Sequence, residues 1–493
     1  MSGIKKLAGE TIVYGVSTIL GRFLNWFLLP LYLRVLSVED NGYLTYVYGY
    51  IAVFQVIMTF GFETGFFRYA KKSTIKDVFT TLFISTAFIA VLIQVGLMSN
   101  QSYWSQLIDL KGYTKLIGIA GLILLFDAVS NLPYAVLRFE GRSLKYGLLR
   151  FSQVLITITL NLFFLLVVPK LENKGILVFQ KLGIFGDNML VNVFIANLLG
   201  SFYSVIVLSK TIVIYFSKFD YKIFKEVFIY SFPLMIIGVL GMINLNVDKI
   251  LLPHLIRSNQ GFESLGIYGA NFKIGVLMAI FTQSFRLAFE PYFYKNRDEA
   301  NIKNNYADVL KFFTIFGMII FLGVLLYMDI VNILITDKYS SGNVIIPFVL
   351  LGQLFFGMYY SISLWYKLTD RTYMGMYLTF IGSILGVAGN FIFVPIFGYI
   401  GAALSGTISY LFMLVISYYL GQKYYFVPYN LKVILKYIFL GIGIYLISYF
   451  FVHGTLFLKL ALNSVLFILF LLIVFVLEKK SLLKYRLNAS TNN

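Results

Sequence analysis

The sequence predicts an all-α, polytopic integral membrane protein of about fourteen transmembrane helices. They form two six-helix lobes related by an internal pseudo-two-fold, followed by two further helices. Three observations carry this. The 493 residues are 59% hydrophobic and only 13% charged, where a soluble domain is roughly 25% charged. Apolar runs recur from end to end, each with the roughly 18 or more residues needed to cross a hydrocarbon core about 30 Å thick. A phrase also repeats: LLPLYLR at 28–34 returns as LLPHLIR at 251–257.

Taken in order, the runs predict spans at 12–35, 43–67, 77–99, 113–137, 146–169, 188–213, 226–252, 266–292, 309–330, 344–366, 373–395, 400–420, 433–452 and 456–477. The first follows Lys5 and Lys6 and lacks a small-residue cleavage site, so it reads as an anchor rather than a removed signal. A net charge of +18 in a soluble protein would point to nucleic acid. Here the basic residues sit between spans: of 40 Lys and Arg, 28 lie in or beside the even-numbered connections and the termini, 10 in or beside the odd ones, and Arg22 and Lys273 inside spans. The positive-inside rule then places both termini in the cytoplasm, with no nucleic-acid partner. Every connection is short, so function is expected inside the membrane. With no cysteine, disulfide and thiol chemistry are excluded.

Extending the repeated phrase tests for duplication. Tyr43 matches Tyr268 at an offset of 225, and Phe62, Glu63 and Phe66 match Phe289, Glu290 and Phe293 at 227. Arg138 and Arg142 match Lys367 and Arg371, and Asn161 matches Asn390, at 229. The order is kept and the offset drifts slowly, as small indels in the connections would produce. The lobes are therefore 1–213 and 214–425, and 426–493 carries spans 13 and 14 with a cytoplasmic tail. Six spans per copy keep both copies in one orientation, with a site expected between them.

Ionisable groups within spans are costly and must face protein, a wet cavity or an interface. Tyr14, Thr18, Arg22 and Asn25 share one face of span 1, with Arg22 near mid-depth. Arg22 either lines a cavity or is paired with a buried acid, and Asp127, at matched depth in span 4, is the partner available. Span 7 carries Gly241, Asn244 and Asp248 on one face, then Lys249. The prolines of the repeated phrase are expected to kink the first helix of each lobe. In span 8, Arg286 and Glu290 are spaced for a helix-surface pair, whereas Lys273 has no acid three or four residues away. Lys273 and Arg286 stand about 140° apart on an ideal helix and are not assumed to share a site. Glu63 has Arg68 nearby and reads as an interface anchor. His254 and His453, two isolated histidines near outer ends, make no metal site. No P-loop and no acidic pair in an aqueous loop is present, so no enzyme activity and no cofactor are expected.

The stretches ETIVYGVSTILGRFLNWFLLPLYLRVLSVEDNGYLTYVYGY, GIYGANFKIG, RFEGRSLKY, YKLTDRTY and NFIFVPIFGYIGAALSGTISY resemble the polysaccharide biosynthesis flippases of the multidrug/oligosaccharidyl-lipid/polysaccharide exporter superfamily. The resemblance spans essentially the whole chain. It implies a bacterial inner-membrane flippase for undecaprenyl-diphosphate-linked O-antigen or capsule repeat units, with alternating access around a cationic cavity and the lipid tail left in the bilayer. A glycan polymerase and a chain-length regulator are the partner proteins it implies. Arg22, Lys249, Lys273 and Arg286 are the candidate substrate cations, since charge-assisted hydrogen bonds suit a diphosphate. Asn25 and Asp248 are candidates for sugar hydroxyls or the gate, and Asp127, Glu63 and Glu290 for gating or coupling. Related lipid II flippases carry a further Arg-Asp pair where Leu28 and Leu29 stand here, which counts against lipid II as cargo. The competing readings are a cation-coupled multidrug antiporter, which usually has twelve spans and an acid in the first helix, and a membrane glycan polymerase, which needs a larger outer loop.

Overall fold

The computed structural model describes residues 20, 21, 23, 24, 26–110, 112–172, 174, 188–256, 260–295, 301–369 and 371–491, with backbone alone for 288, 290–292, 294, 295 and 480–491. The C-terminal part of span 1 is α1 (Leu29–Val35). Among the described residues, thirteen helices after it are long and apolar enough to cross a membrane, which α1 by itself is not. They are α2 (Val38–Tyr69), α3 (Ile75–Ser99), α4 (Thr114–Phe139), α5 (Ser143–Glu172), α6 (Met189–Tyr215), α7 (Tyr221–Leu255), α8 (Gly261–Leu287), α9 (Ile302–Leu325), α10 (Asp337–Leu368), α11 (Tyr373–Phe397), α12 (Tyr399–Tyr424), α13 (Leu431–Phe451) and α14 (Leu456–Lys479). Each overlays one of the sequence-predicted spans. No strand occurs among the described residues.

Contacts divide the chain into two compact units, Met1–Ala270 with Thr379–Gly406, and Asn271–Leu378 with Thr407–Asn493. Each boundary falls within a helix, in α8, α11 and α12.

The repeat reappears as equivalent packing. In the first copy Phe62, Phe66 and Phe79 are buried together, with Ile75 packed on them. In the second, Phe289, Phe293, Tyr306 and Ile302 form the same cluster, every member 227 residues further on. Asn161 and Asn390 are both buried, at 0% and 1% exposure. Each amide donates to the carbonyl four residues earlier, Thr157 and Gly386, at 2.8 Å. Matched polar groups making matched bonds inside hydrocarbon are what a duplicated unit retains, because an unsatisfied amide there is penalised.

Gly42 on α2 and Gly266 on α8 show the relation most directly. A Cβ on Gly42 would lie 1.9 Å from the Phe262 carbonyl oxygen, and one on Gly266 would lie 1.9 Å from that of Val38. Both pairs are offset by 224, so the contact is reciprocal, the signature of a two-fold. Asn41 adds a hydrogen bond from its amide to the Gly266 carbonyl at 2.9 Å. Small residues let membrane helices approach this closely.

The copies differ in how their helices break. Phe27 and Leu28 form a turn before α1, which carries Pro30 in its first turn. In the second, α7 runs through Pro253 to Leu255 without a break. α2 is interrupted by Phe60 and Gly61, both left-handed (φ 52° and 67°), a conformation that for Phe requires support. Stacking of Phe60 on Phe228, centroids 4.8 Å apart, supplies it. α8 instead tightens into a 3-10 turn at Lys273–Gly275, a feature that often marks a hinge.

Candidate functional site

Three polar clusters sit inside the first unit. On α7, Asp248 is 8% exposed and takes a hydrogen bond from Tyr268 of α8. Lys249 lies 3.6 Å from Asp248 Oδ1 and donates to Leu245 O at 2.8 Å and Asn246 Oδ1 at 3.3 Å. The ammonium is folded back on its own helix, with its charge partly balanced. Gly49 of α2 leaves room for this stretch, since a Cβ there would meet Ile250 Cγ1 at 3.3 Å and Lys249 Cβ at 3.7 Å. Asn244, one turn earlier, is also buried. The structure thus brings Asp248 and Lys249 together and adds Tyr268, the repeat mate of Tyr43.

The second cluster surrounds Asp127. It lies beside Ser201 of α6 and is attracted by Arg150 of α5, whose guanidinium lies over the Tyr134 ring at 3.9 Å. Arg150 lies near the start of span 5, and nothing in its spacing assigns it to Asp127. Arg22 and Asn25 lie outside the described residues.

The third cluster surrounds Glu63. Glu63 pairs not with Arg68 but with Arg138 of α4, and Asn131 donates to its other oxygen at 3.1 Å. Arg68 instead lies 4.3 Å from the Tyr230 ring centroid. α4 places Asn131 and Arg138 seven residues apart, two helical turns, so both reach the carboxylate.

In the second unit Lys273 begins the 3-10 turn of α8, and Arg286 lies 5.0 Å from the Tyr360 ring centroid. The Glu290 side chain lies outside the described residues.

At the end expected to face outward, aromatic and ionisable groups close over the Gly42–Gly266 crossing. The Tyr46 hydroxyl is 2.7 Å from His254 Nε2, His254 Nδ1 is 3.5 Å from Asp109 Oδ2, and Tyr113 donates to Asp40 at 2.6 Å. Tyr43 stacks on Phe262 with centroids 4.1 Å apart. His254 stands where the first copy has Leu31, so the latch uses a position at which the repeated phrase diverges. Among the described residues, no group of three or more His, Asp or Glu is placed to hold a metal.

His254→Leu removes the hydrogen bond to Tyr46, worth about 1 kcal/mol, and the half-exposed contact to Asp109, which adds little. In this cysteine-free chain, a thiol introduced by Tyr50→Cys is expected to label with a membrane-impermeant maleimide about five-fold faster when His254→Leu is added. An unchanged rate would show that His254 does not hold this end closed.

An apolar cavity of about 620 Å³ lies among α2, α3, α4 and the short helix Gln101–Leu107. Among the described residues, Tyr50 and Trp104 are its only polar-tipped linings, and neither carries a charge for a diphosphate.

A duplicated helical bundle that holds acids and bases inside its spans is the architecture of a membrane transport protein. A family model described as "Polysaccharide biosynthesis protein" matches residues 32–342, and the chain belongs to that family. It is similar to the capsular polysaccharide biosynthesis protein CapF of Staphylococcus aureus, 24% identical over 418 residues, covering 83% of this chain and 97% of that protein. Among solved structures it has the fold of the lipid II flippase MurJ in an inward closed conformation (TM-score 0.75, 17% identity, 96% of this chain and 100% of that one). It also resembles an inward-facing multidrug resistance MATE family transporter of the MOP superfamily (TM-score 0.61, 14% identity, 84% and 97%).

Proposed function

We propose that the protein flips polyprenyl-diphosphate-linked oligosaccharide repeat units from the cytoplasmic to the outer face of a bacterial inner membrane. The observation that carries the reading is the family match over residues 32–342 in a chain whose α7 keeps an acid and a lysine within the span. Function proceeds by alternating access of the repeat-defined lobes, 1–213 and 214–425, with 426–493 appended and both termini in the cytoplasm. Arg22, Lys249, Lys273 and Arg286 receive the diphosphate, because leaving water requires charge-assisted hydrogen bonds in its place. Asn25 and Asp248 meet sugar hydroxyls. Asp127, Glu63 and Glu290 hold or release the gates through their basic partners. A glycan polymerase and a chain-length regulator take the product on the outer face.

Deleting the gene is expected to abolish the surface glycan and to leave lipid-linked oligosaccharide accumulating in the membrane fraction, with both effects reversed by the wild-type chain. Unchanged surface glycan would overturn the reading. A second reading, a cation-coupled small-molecule antiporter, draws on the likeness to the MATE transporter. It expects the opposite pair of results from the same strain, namely raised drug sensitivity with normal glycan.

A further inference from the structure

The second unit contains a cavity of about 670 Å³ among α9, α10, α13 and α14. Its lining is graded. Asp329, Lys459, Ser341 and Asn343 lie at the helix ends expected to face outward, and Phe321, Leu351 and Ile442 lie deeper. Ile442 is nine residues inside the end of α13 at Phe451, about 14 Å at 1.5 Å per residue. That depth matches one leaflet, half of a hydrocarbon core about 30 Å thick. On the lining, Leu446, Tyr449 and Phe450 are 43%, 62% and 60% exposed, so the cavity borders the surface that lipid covers.

The polar end is not simply basic. Lys459 Nζ and Asp329 Oδ1 stand 4.0 Å apart, both side chains about a third exposed. Such an exposed pair contributes little to stability. It does present one positive and one negative charge side by side at the mouth of an apolar shaft. A phosphoethanolamine headgroup carries the complementary pair, with its phosphate for Lys459 and its ammonium for Asp329.

We propose that this cavity is a binding site for a zwitterionic phospholipid of the outer leaflet, its acyl chain reaching Ile442 and its headgroup bridging Lys459 and Asp329. The site is separate from the cargo reading and does not depend on it.

Native mass spectrometry of the full-length protein, titrated with dioleoyl phosphatidylethanolamine or dioleoyl phosphatidylglycerol, tests this. Phosphatidylethanolamine is expected to bind several-fold more tightly. Ile442→Trp, which fills the deep end, is expected to reduce its binding ten-fold or more. Lys459→Ala combined with Asp329→Ala is expected to erase the preference between the two lipids while retaining chain binding. Leu446→Trp serves the same purpose should Ile442→Trp fail to fold, as judged by gel filtration and helical circular dichroism. Equal affinity for the two lipids, or undiminished phosphatidylethanolamine binding in a folded Trp variant, would overturn the assignment. Displacement of the phospholipid by undecaprenyl phosphate would also overturn it, and would give the cavity to the cargo instead.

Discussion

Glu478→Ala is expected to release the last two helices from the second unit at a cost of about 3–5 kcal/mol, the usual penalty for leaving one member of a buried ion pair behind. Glu478 is 5% exposed and ties three helices together. It accepts from Lys311 of α9 at 2.8 Å and from Tyr437 of α13 at 2.8 Å, and it belongs to α14 itself. Asp308, 3.4 Å from Lys311, is more exposed and replaces only part of the lost partner. A second fastening at the other end joins Asn463 of α14 to Ser448 of α13 at 2.6 Å and to the Leu326 carbonyl at 2.8 Å. With one fastening gone, protease cleavage between α12 and α13 should accelerate and the melting temperature should fall. Replacing both members with apolar residues, as Lys311→Met with Glu478→Leu, should recover most of the loss, because no buried charge is then left alone. An unaltered melt for Glu478→Ala would show that the pair does not hold these helices in place.

Gly42→Val and Gly266→Val are the other changes with large expected effects. Each would put a side chain against a backbone carbonyl that already lies 1.9 Å from the added Cβ. No rotamer relieves a clash at Cβ, so α2 and α8 must separate. Overpacking of this kind costs about 1–3 kcal/mol or more, a shift of roughly five-fold to more than one-hundred-fold away from closure. The Tyr50→Cys probe should label correspondingly faster in either variant. Gly443→Ala on α13, where an added Cβ meets nothing within 4 Å, should leave the rate unchanged. Equal labelling in the Gly42, Gly266 and Gly443 variants would contradict the account of the closed end.

The spans were legible because hydrocarbon imposes one rule on every residue of a helix, and no competing local signal is strong enough to hide it. The duplication was legible for a related reason. Asn161 with Asn390, and Phe62 with Phe289, are buried in equivalent settings, so they could not drift freely. Ion pairing was less legible. Arg68 is the base nearest Glu63 in sequence, five residues along, while its partner Arg138 lies 75 residues away, because helix neighbours in space are set by packing rather than by spacing. Arg150 lies four residues inside the start of span 5, and the direction of its side chain, which sequence distance does not give, sets it near Asp127. Glu478 fell just beyond the predicted end of span 14, although its helix carries it into a buried pair. Lys249 and Asp248 show the converse. Adjacent in sequence, they are also joined in space, and that pair carries the cargo reading forward.

The flipping step itself tests that reading most directly. Purified protein is reconstituted into vesicles containing a polyprenyl-diphosphate-linked oligosaccharide, and an impermeant glycosidase is added outside. With wild-type protein, the glycan protected in the inner leaflet is expected to become accessible. With Lys249→Ala, checked for wild-type expression and melting temperature before reconstitution, the glycan is expected to stay protected. Wild-type vesicles that protect as much glycan as protein-free ones would contradict the assignment of this chain as a flippase for lipid-linked oligosaccharide.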